Sequence, residues 1–260
     1  MPSFKAAVEA HSNSSGYRSE AGFRRGGADA DIQINGGDAA DISSLPGRLI
    51  AVEGTDGAGR STQLALLREW LETRGFGVAH TALTRSQLAG EGLRQAKEGH
   101  TLGRLTMDLY YATDFADRLE NEIIPALRAG FVVLADRYVY SMMARSIVRG
   151  GDPEWIRDVY RFAPRPDAVF YLKISLPKLT QRVMAAGGFD YWESGMDFQE
   201  EHDVYQSFVR YQTRLLAVFD DLSERYKFSV VDADGDVRTV FKSLSDGVLS
   251  VVGNMTGARP

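Results

Sequence analysis

Cysteine is absent from the 260-residue sequence, which excludes disulfides, thiolate catalysis and zinc sites with cysteine ligands. No apolar run approaches the roughly 20 residues of a membrane-spanning helix, and the N-terminal stretch lacks the apolar core of a signal peptide. The net charge of −5 gives no overall positive field that would attract nucleic acid. These absences predict a soluble, cytoplasmic protein without nucleic-acid or membrane partners. His80, His100 and His202 are too scattered to predict a metal site.

Large apolar side chains are also scarce in the first part of the chain. Residues 1–46 are rich in Gly, Ser, Ala and Asp, so they cannot bury enough surface to offset the entropy of the chain. We predict that they form a disordered or loosely docked extension. Pro46-Gly47 then marks the start of a single domain, residues 47–260, which is long enough to bury a sizeable core.

Strand and helix patterns alternate through this domain. The continuous apolar runs 131–135 and 168–172 are typical of parallel strands that are buried on both faces. The alternation predicts an α/β fold, a doubly wound five-stranded parallel sheet with helices on both faces and ligands at the carboxyl ends of the strands. The predicted strands are 48–53, 77–83, 131–135, 167–174 and 228–232. The predicted helices are 61–74, 90–98, 104–129, 138–149, 153–162, 176–185, 199–226 and 237–252.

The most informative motif is a glycine-rich run between the first predicted strand and helix. In that context backbone N–H groups converge on a phosphate, and the helix N-terminus adds a partial positive charge. The alternative is a glycine-rich turn that binds no ligand. The consensus GxxxxGK[ST] has Lys where this chain has Arg60, which can neutralise phosphate but is larger and forked. The predicted ATP-binding residues are Gly54, Asp56, Gly57, Ala58, Gly59, Arg60, Ser61 and Thr62.

A second motif, Asp136-Arg137-Tyr138, follows the buried strand 131–135. In a parallel sheet this position lies beside the glycine-rich loop. Asp136 could hold Mg²⁺, directly or through water, or orient Arg137, whose guanidinium could bind a phosphate through two hydrogen bonds. The alternative is a structural ion pair at the end of a strand.

Two further segments carry a site hypothesis and a simpler alternative. Aromatic and charged residues share one face of helix 104–129, where they could stack on a base and hydrogen-bond to it, although such a stripe is also typical of plain core. Glycines bracket an aromatic and acidic segment at about residues 186–197, which predicts a mobile lid; the alternative is an ordinary exposed loop.

Together these motifs resemble those of the thymidylate kinases, a family of P-loop nucleoside monophosphate kinases. The resemblance covers about residues 48–252 and implies the P-loop kinase fold, transfer of the γ-phosphoryl group of ATP to dTMP with Mg²⁺, and a homodimer. It is carried by residues 52–63, 84–85, 124–127, 136–138 with Ser141, and 165–172.

The resemblance also implies roles for individual residues. Asp56 would contact the sugar 3′-hydroxyl, Arg137 would grip the acceptor phosphate, and Tyr111 would stack on thymine. The implied catalytic residues are Arg60, Asp136, Arg137 and Arg182, the last entering the lid. The implied metal ligands are Ser61 and Asp136. The implied substrate-binding residues are Asp56, Arg85, Tyr111, Phe115, Arg118, Arg137 and Ser141.

Several positions depart from the family pattern. Phe115 stands where the family has a base-reading arginine, which Arg118 could replace from one turn later. Arg145 and Ser146 stand where the family often has Tyr-Gln. Two other functions therefore stay open: a non-catalytic nucleotide-binding homologue, and a deoxynucleoside kinase in which Glu53 serves as the base. Glu53 could equally line the acceptor pocket or be a buried hydrogen-bonded residue.

Overall fold

A computed structural model describes residues 41–84, 86, 88–99, 102–200 and 203–255. Five parallel strands form one sheet in the order β2-β3-β1-β4-β5, which confirms the predicted doubly wound α/β fold. The strands are β1 (Arg48–Glu53), β2 (Val78–Ala82), β3 (Val132–Asp136), β4 (Ala168–Lys173) and β5 (Ser229–Asp232). The helices are α1 (Arg60–Glu72), α2 (Gly90–Glu98), α3 (Arg104–Arg118), α4 (Ile124–Arg128), α5 (Val139–Val148), α6 (Pro153–Val159), α7 (Leu176–Ala185), α8 (Val204–Tyr226) and α9 (Val237–Val252).

The core consists of two apolar layers, one on each face of the sheet. Leu49 and Ala51 of β1 pack with residues of α3, α5 and α8. Ile50 and Val52, which alternate with them, pack with residues of α1, α7 and α9. Because helices cover both faces, the central strands have no polar face, and this is why they read as continuous apolar runs in the sequence.

The predicted helix 104–129 is interrupted. α3 ends at Arg118, a single π-helical turn covers Leu119–Ile123, and α4 begins at Ile124. Pro125 lacks a backbone N–H and its ring crowds the carbonyl four residues earlier, so the regular hydrogen-bond ladder cannot pass through it. The predicted helix 199–226 also begins later, at Val204, where the Asp203 carboxylate accepts a hydrogen bond from the backbone N–H of Gln206 at 3.0 Å.

The described part of the chain begins at residue 41, ahead of the predicted start of the domain at residue 47. Residues 1–40 of the predicted extension lie outside the described residues. Ile42 is buried in the core and Leu45 packs against it, so the packed region already includes residues ahead of Gly47. No helix in the described part of the chain is both long and apolar enough to cross a membrane.

Candidate active site

The glycine-rich loop follows β1 directly and ends in the first turn of α1. Gly54 has a φ of +145°, and a Cβ there would lie 2.9 Å from the carbonyl oxygen of Leu172, so this position requires glycine. α1 begins at Arg60, and Gly59 before it provides no side-chain cap. The first-turn N–H groups therefore face the loop side of the helix, where a phosphate can bind them. Ser61 and Thr62 are exposed in this turn.

Arg60 folds back beneath the loop. Its Nη1 donates to the carbonyl oxygens of Gly54 and Thr55, each at 2.6 Å, and its Nε donates to Asp136 Oδ1 at 2.9 Å. The sheet register creates this contact, because Val52 of β1 pairs with Asp136 of β3. The forked guanidinium thus joins the loop to the end of β3 through three acceptors, which a single ammonium group would not span.

Three arginines surround the carboxylate of Asp56. Arg137 Nη2 hydrogen-bonds to Oδ1, Arg145 Nη2 donates to Oδ2 at 2.6 Å, and Arg60 Nη2 lies 3.6 Å from Oδ1. Burial alone would raise the pKa of Asp56, but the charges of Arg137, Arg145 and Arg60 hold it well below its ordinary value. Asp56 is therefore ionised throughout the working pH range.

Arg137 is held in place by the surrounding backbone and side chains. It adopts a left-handed conformation, with a φ of 70°. Its Nη1 donates to the Gly54 carbonyl at 3.0 Å and to Ser141 Oγ at 3.2 Å. Burial and the neighbouring charge of Arg60 lower the pKa of Arg137 to about 10, so it keeps its charge near neutral pH.

Glu53 is a buried hydrogen-bonded residue. Its Oε1 accepts from the backbone N–H of Tyr138 at 2.9 Å and of Ser141 at 3.2 Å, and its Oε2 accepts from the Ser141 hydroxyl. Burial raises its pKa. These bonds fix the start of α5 behind Arg137, and they account for Glu53 without a role in an acceptor pocket.

Two adjoining cavities open beside the arginine cluster. One, of about 240 Å³, is lined by Arg60, Asp136 and Arg137. The other, of about 220 Å³, extends away from the loop to Asp108, Trp192 and Tyr211. The residues that line both are Asp56, Lys97, Tyr111, Arg145 and Glu193.

A third cleft lies on the opposite side of the glycine-rich loop. Its volume is about 210 Å³, and Gly59, Thr62 and Arg182 are among its lining residues. Arg182 Nη1 donates to the Ala58 carbonyl at 3.2 Å, and its Nη2 donates to the Ala233 carbonyl at 2.9 Å. The loop therefore has a cavity on each side, as a donor site and an acceptor site would require.

The two adjoining cavities beside the arginine cluster are called the acceptor-side cavities below, because the sequence resemblance predicts the acceptor near Asp56 and Arg137. Three of the predicted substrate-binding residues line neither of them. Phe115 is 1% exposed and packs edge-to-face against Tyr138, with ring centroids 5.0 Å apart. The fully buried Arg118 donates from Nε to Asp114 Oδ2 at 3.0 Å. Ser141 is buried between Arg137 and Glu53. On α3, Phe115 and Arg118 therefore belong to the core, while Tyr111 reaches the cavities. Arg85 lies outside the described residues.

Residues that the sequence analysis did not name as site residues also line the acceptor-side cavities. They are Arg145, Asp108 and Lys97, together with Glu193 of the predicted lid. The sequence spacing could have identified Arg145 as a site residue, because it follows Ser141 by one helical turn on the helix that begins after the Asp136-Arg137 motif. The spacing could also have identified Asp108, since it precedes Tyr111 by three positions on α3 and so lies on the same face.

The predicted lid, about residues 186–197, packs against α5 and α8. Arg149 donates to both carboxylate oxygens of Asp197, at 2.8 and 3.0 Å, and to the carbonyl of Trp192 at 3.0 Å. Gln212 Nε2 donates to the Glu193 carbonyl at 2.8 Å. These bonds place the Glu193 side chain in the acceptor-side cavities. Closing and opening of this segment stays a prediction.

Glu193 gives a prediction about stability. Burial, and after it the carboxylate of Asp56, raises the pKa of Glu193 from 4.5 to about 7. Between these two values the unfolded chain has released the proton that the folded chain still holds, so stability falls as the pH rises from about 4.5 to about 7. Glu193→Gln removes this contribution. We expect the variant to gain stability relative to wild type across that window, and the difference to level off above pH 7.

Urea unfolding at pH 4.5 to 8 measures this difference directly. Glu224→Gln, at an exposed position of α8, is the matched control, and its free energy of unfolding should change with pH as that of wild type does. The same pH dependence for Glu193→Gln and wild type would contradict the prediction.

Comparisons of the sequence with a family model and with known proteins all point to the same family. Residues 52–244 match the family model described as thymidylate kinase. A probable thymidylate kinase 2 from Saccharolobus solfataricus is 36% identical over 198 residues, which are 75% of this chain and 92% of that protein. A thymidylate kinase from Akkermansia muciniphila is 39% identical over 152 residues, 57% of this chain and 72% of that protein.

Proposed function

The chain belongs to the thymidylate kinase family, and from that premise we propose that it transfers the γ-phosphoryl group of ATP to a nucleoside monophosphate, dTMP, forming dTDP. The observation that carries the proposal is the cluster of Arg60, Arg137 and Arg145 beside the glycine-rich loop, at the carboxyl ends of β1 and β3. Phosphoryl transfer needs positioning and charge stabilisation more than covalent chemistry from the protein, and this cluster supplies both.

On the donor side, the loop from Gly54 to Thr62 would bind the ATP phosphates through its backbone N–H groups, with Arg182 on the flank of the loop. Ser61 and Asp136 would hold Mg²⁺, since a hydroxyl and a carboxylate are ligands of the kind that it accepts. The described residues contain no cluster of three or more His, Asp or Glu side chains that could hold a metal ion. A hydroxyl and a carboxylate suit Mg²⁺ that takes its other ligands from phosphate and water. When bound, the ion neutralises phosphate charge.

On the acceptor side, Arg137 would bind the phosphate and Asp56 the sugar 3′-hydroxyl. Tyr111 would stack on the base, because its ring lines both cavities. Arg85 keeps its proposed role in binding the acceptor phosphate. We also propose a homodimer, whose buried surface would include the exposed Leu105 and Leu109 of α3. A cytoplasmic location stays a prediction.

Steady-state formation of ADP tests the function. The enzyme is supplied with ATP, Mg²⁺ and a panel of nucleoside monophosphates, together with thymidine. We expect turnover concentrated on dTMP. Tight ATP binding without turnover on any acceptor would favour a non-catalytic homologue. Turnover on thymidine and not on dTMP would identify a deoxynucleoside kinase.

A further inference from the structure

Arg145 lies at the junction of the two acceptor-side cavities. It projects from α5, and its side chain is 20% exposed. One cavity leads from it to Asp136 and Arg137 at the transfer end, and the other leads to Asp108 and Trp192. A nucleoside monophosphate carries its phosphate at one end and its base at the other. A cation at this junction therefore faces the phosphate or the sugar next to it.

The hydrogen bonds of Arg145 leave most of its donors available. Among the described residues its side chain makes one, from Nη2 to Asp56 Oδ2 at 2.6 Å. Arg149, one turn later on the same face, differs in this respect. It donates to Asp197, to the Trp192 carbonyl and to the Tyr211 hydroxyl, so its guanidinium is committed to the protein. A guanidinium has five N–H donors, and those of Arg145 that do not meet Asp56 suit a ligand with several oxygens.

The charge around Arg145 also favours an anion. Three guanidiniums, of Arg60, Arg137 and Arg145, surround two carboxylates, of Asp56 and Asp136. Within this set the guanidiniums exceed the carboxylates by one; Glu53 and Glu193 also lie close, but burial raises the pKa of each of these carboxyls, which favours its neutral form. Burial is the main cause of the lowered pKa of Arg137, and the nearby charges of Arg60 and Arg145 lower it further, so these arginines repel Arg137. A phosphate monoester brings about −1.5 to −2 charges near pH 7 and would relieve this repulsion.

We propose that Arg145 is a second acceptor-phosphate residue, which binds the phosphate of the incoming nucleoside monophosphate together with Arg137. The inference rests on the proposed function and extends it to a residue outside the predicted site. The resemblance implied an arginine from α3 at the acceptor, but Phe115 and Arg118 are buried in the core and neither supplies one. In this chain the additional positive charge reaches the acceptor from α5.

Isothermal titration of the full chain with dTMP and with thymidine separates a phosphate contact from the other roles of Arg145. We expect Arg145→Gln to weaken dTMP binding by about 10- to 100-fold, the range of a charge-assisted hydrogen bond, and to leave thymidine binding unchanged. Arg145→Lys keeps the charge and should recover part of the loss. The control is Arg157→Gln on the surface of α6, which should bind both ligands like wild type. Thermal melting shows whether each variant is folded.

A second readout is kinetic. The KM for dTMP should rise in Arg145→Gln, while the KM for ATP stays at its wild-type value. An equal loss of dTMP and thymidine binding, or no loss of either, overturns the assignment of Arg145 and leaves the proposed function standing. Failure of the wild-type chain to bind any nucleoside monophosphate overturns the proposed function, and the inference with it.

Discussion

Replacing Arg60 with methionine is expected to lower kcat by about 10²- to 10³-fold, the usual cost of removing one preorganised donor from a reaction centre. Arg60 holds the carbonyl oxygens of Gly54 and Thr55 and the carboxylate of Asp136. Methionine replaces the apolar stem of arginine but has no charge and no donor. The variant would therefore lose the contact between the loop and β3, and the cation that we propose to lie next to the transferred group.

Arg60→Lys restores the residue of the P-loop consensus and serves as the matched comparison. An ammonium group keeps the charge but cannot reach all three acceptors of the guanidinium at once. We expect its kcat to lie within about tenfold of wild type, because charge neutralisation of the phosphates is retained. Steady-state kinetics with ATP, Mg²⁺ and saturating dTMP measure both variants, and Arg68→Met, at an exposed position of α1, should behave like wild type.

Two results would contradict this view of Arg60. Activity of Arg60→Met close to wild type would show that the guanidinium only supports the loop. A gain of a hundredfold or more in Arg60→Lys would show that Arg60 impairs an ancestral activity, and it would favour the non-catalytic homologue.

The sequence was informative where local pattern and chain order decide the structure. All five strands were predicted to within one residue at each end. The central strands β1, β3 and β4 were clear in the sequence because they are buried on both faces and therefore consist mainly of apolar residues. The glycine-rich loop and the Asp136-Arg137 motif were predicted to lie side by side, since each follows a central parallel strand. Their sheet register confirms that placement.

The sequence was less informative where distant segments decide what a side chain meets. Phe115 lies on the same side of α3 as Tyr111, but its ring packs against Tyr160, which comes from the end of α6, far along the chain. Arg145 meets Asp56 across 89 residues, and no local pattern records that contact. Helical spacing therefore predicted a shared face correctly, but it did not separate the part of that face in the core from the part in the cavity.

The second large effect concerns stability. Asp114→Ala is expected to lower the free energy of unfolding by about 3–5 kcal/mol, the cost of removing one partner from a buried ion pair. The side chains of Asp114 and Arg118 are fully buried, with Arg118 Nε 3.0 Å from Asp114 Oδ2. Asp114 also accepts the backbone N–H groups of Thr84 and Ser86, each at 3.1 Å. Urea unfolding of the variant and of wild type at the same pH measures the difference.

An exposed ion pair provides the matched control. Arg68 Nε lies 2.8 Å from Glu72 Oε1 on α1, with the same spacing of four residues, and the two side chains are 56% and 44% exposed. Glu72→Ala should cost less than about 1 kcal/mol, because water already solvates both charges. Equal losses in Glu72→Ala and Asp114→Ala would mean that Arg118 finds water or a new partner once its carboxylate is gone.

Asp114→Ala should also affect the acceptor site through the backbone that Asp114 holds. Thr84 and Ser86 flank Arg85 in the sequence, and Thr84 lines the cavity that contains Arg137. Releasing their N–H groups from Asp114 frees this segment beside the acceptor. The folded fraction of the variant should therefore show a raised KM for dTMP, while its KM for ATP is unchanged because the glycine-rich loop keeps its own contacts. A loss of stability with no change in KM would confine Asp114 to the core and remove the link between the buried ion pair and the site.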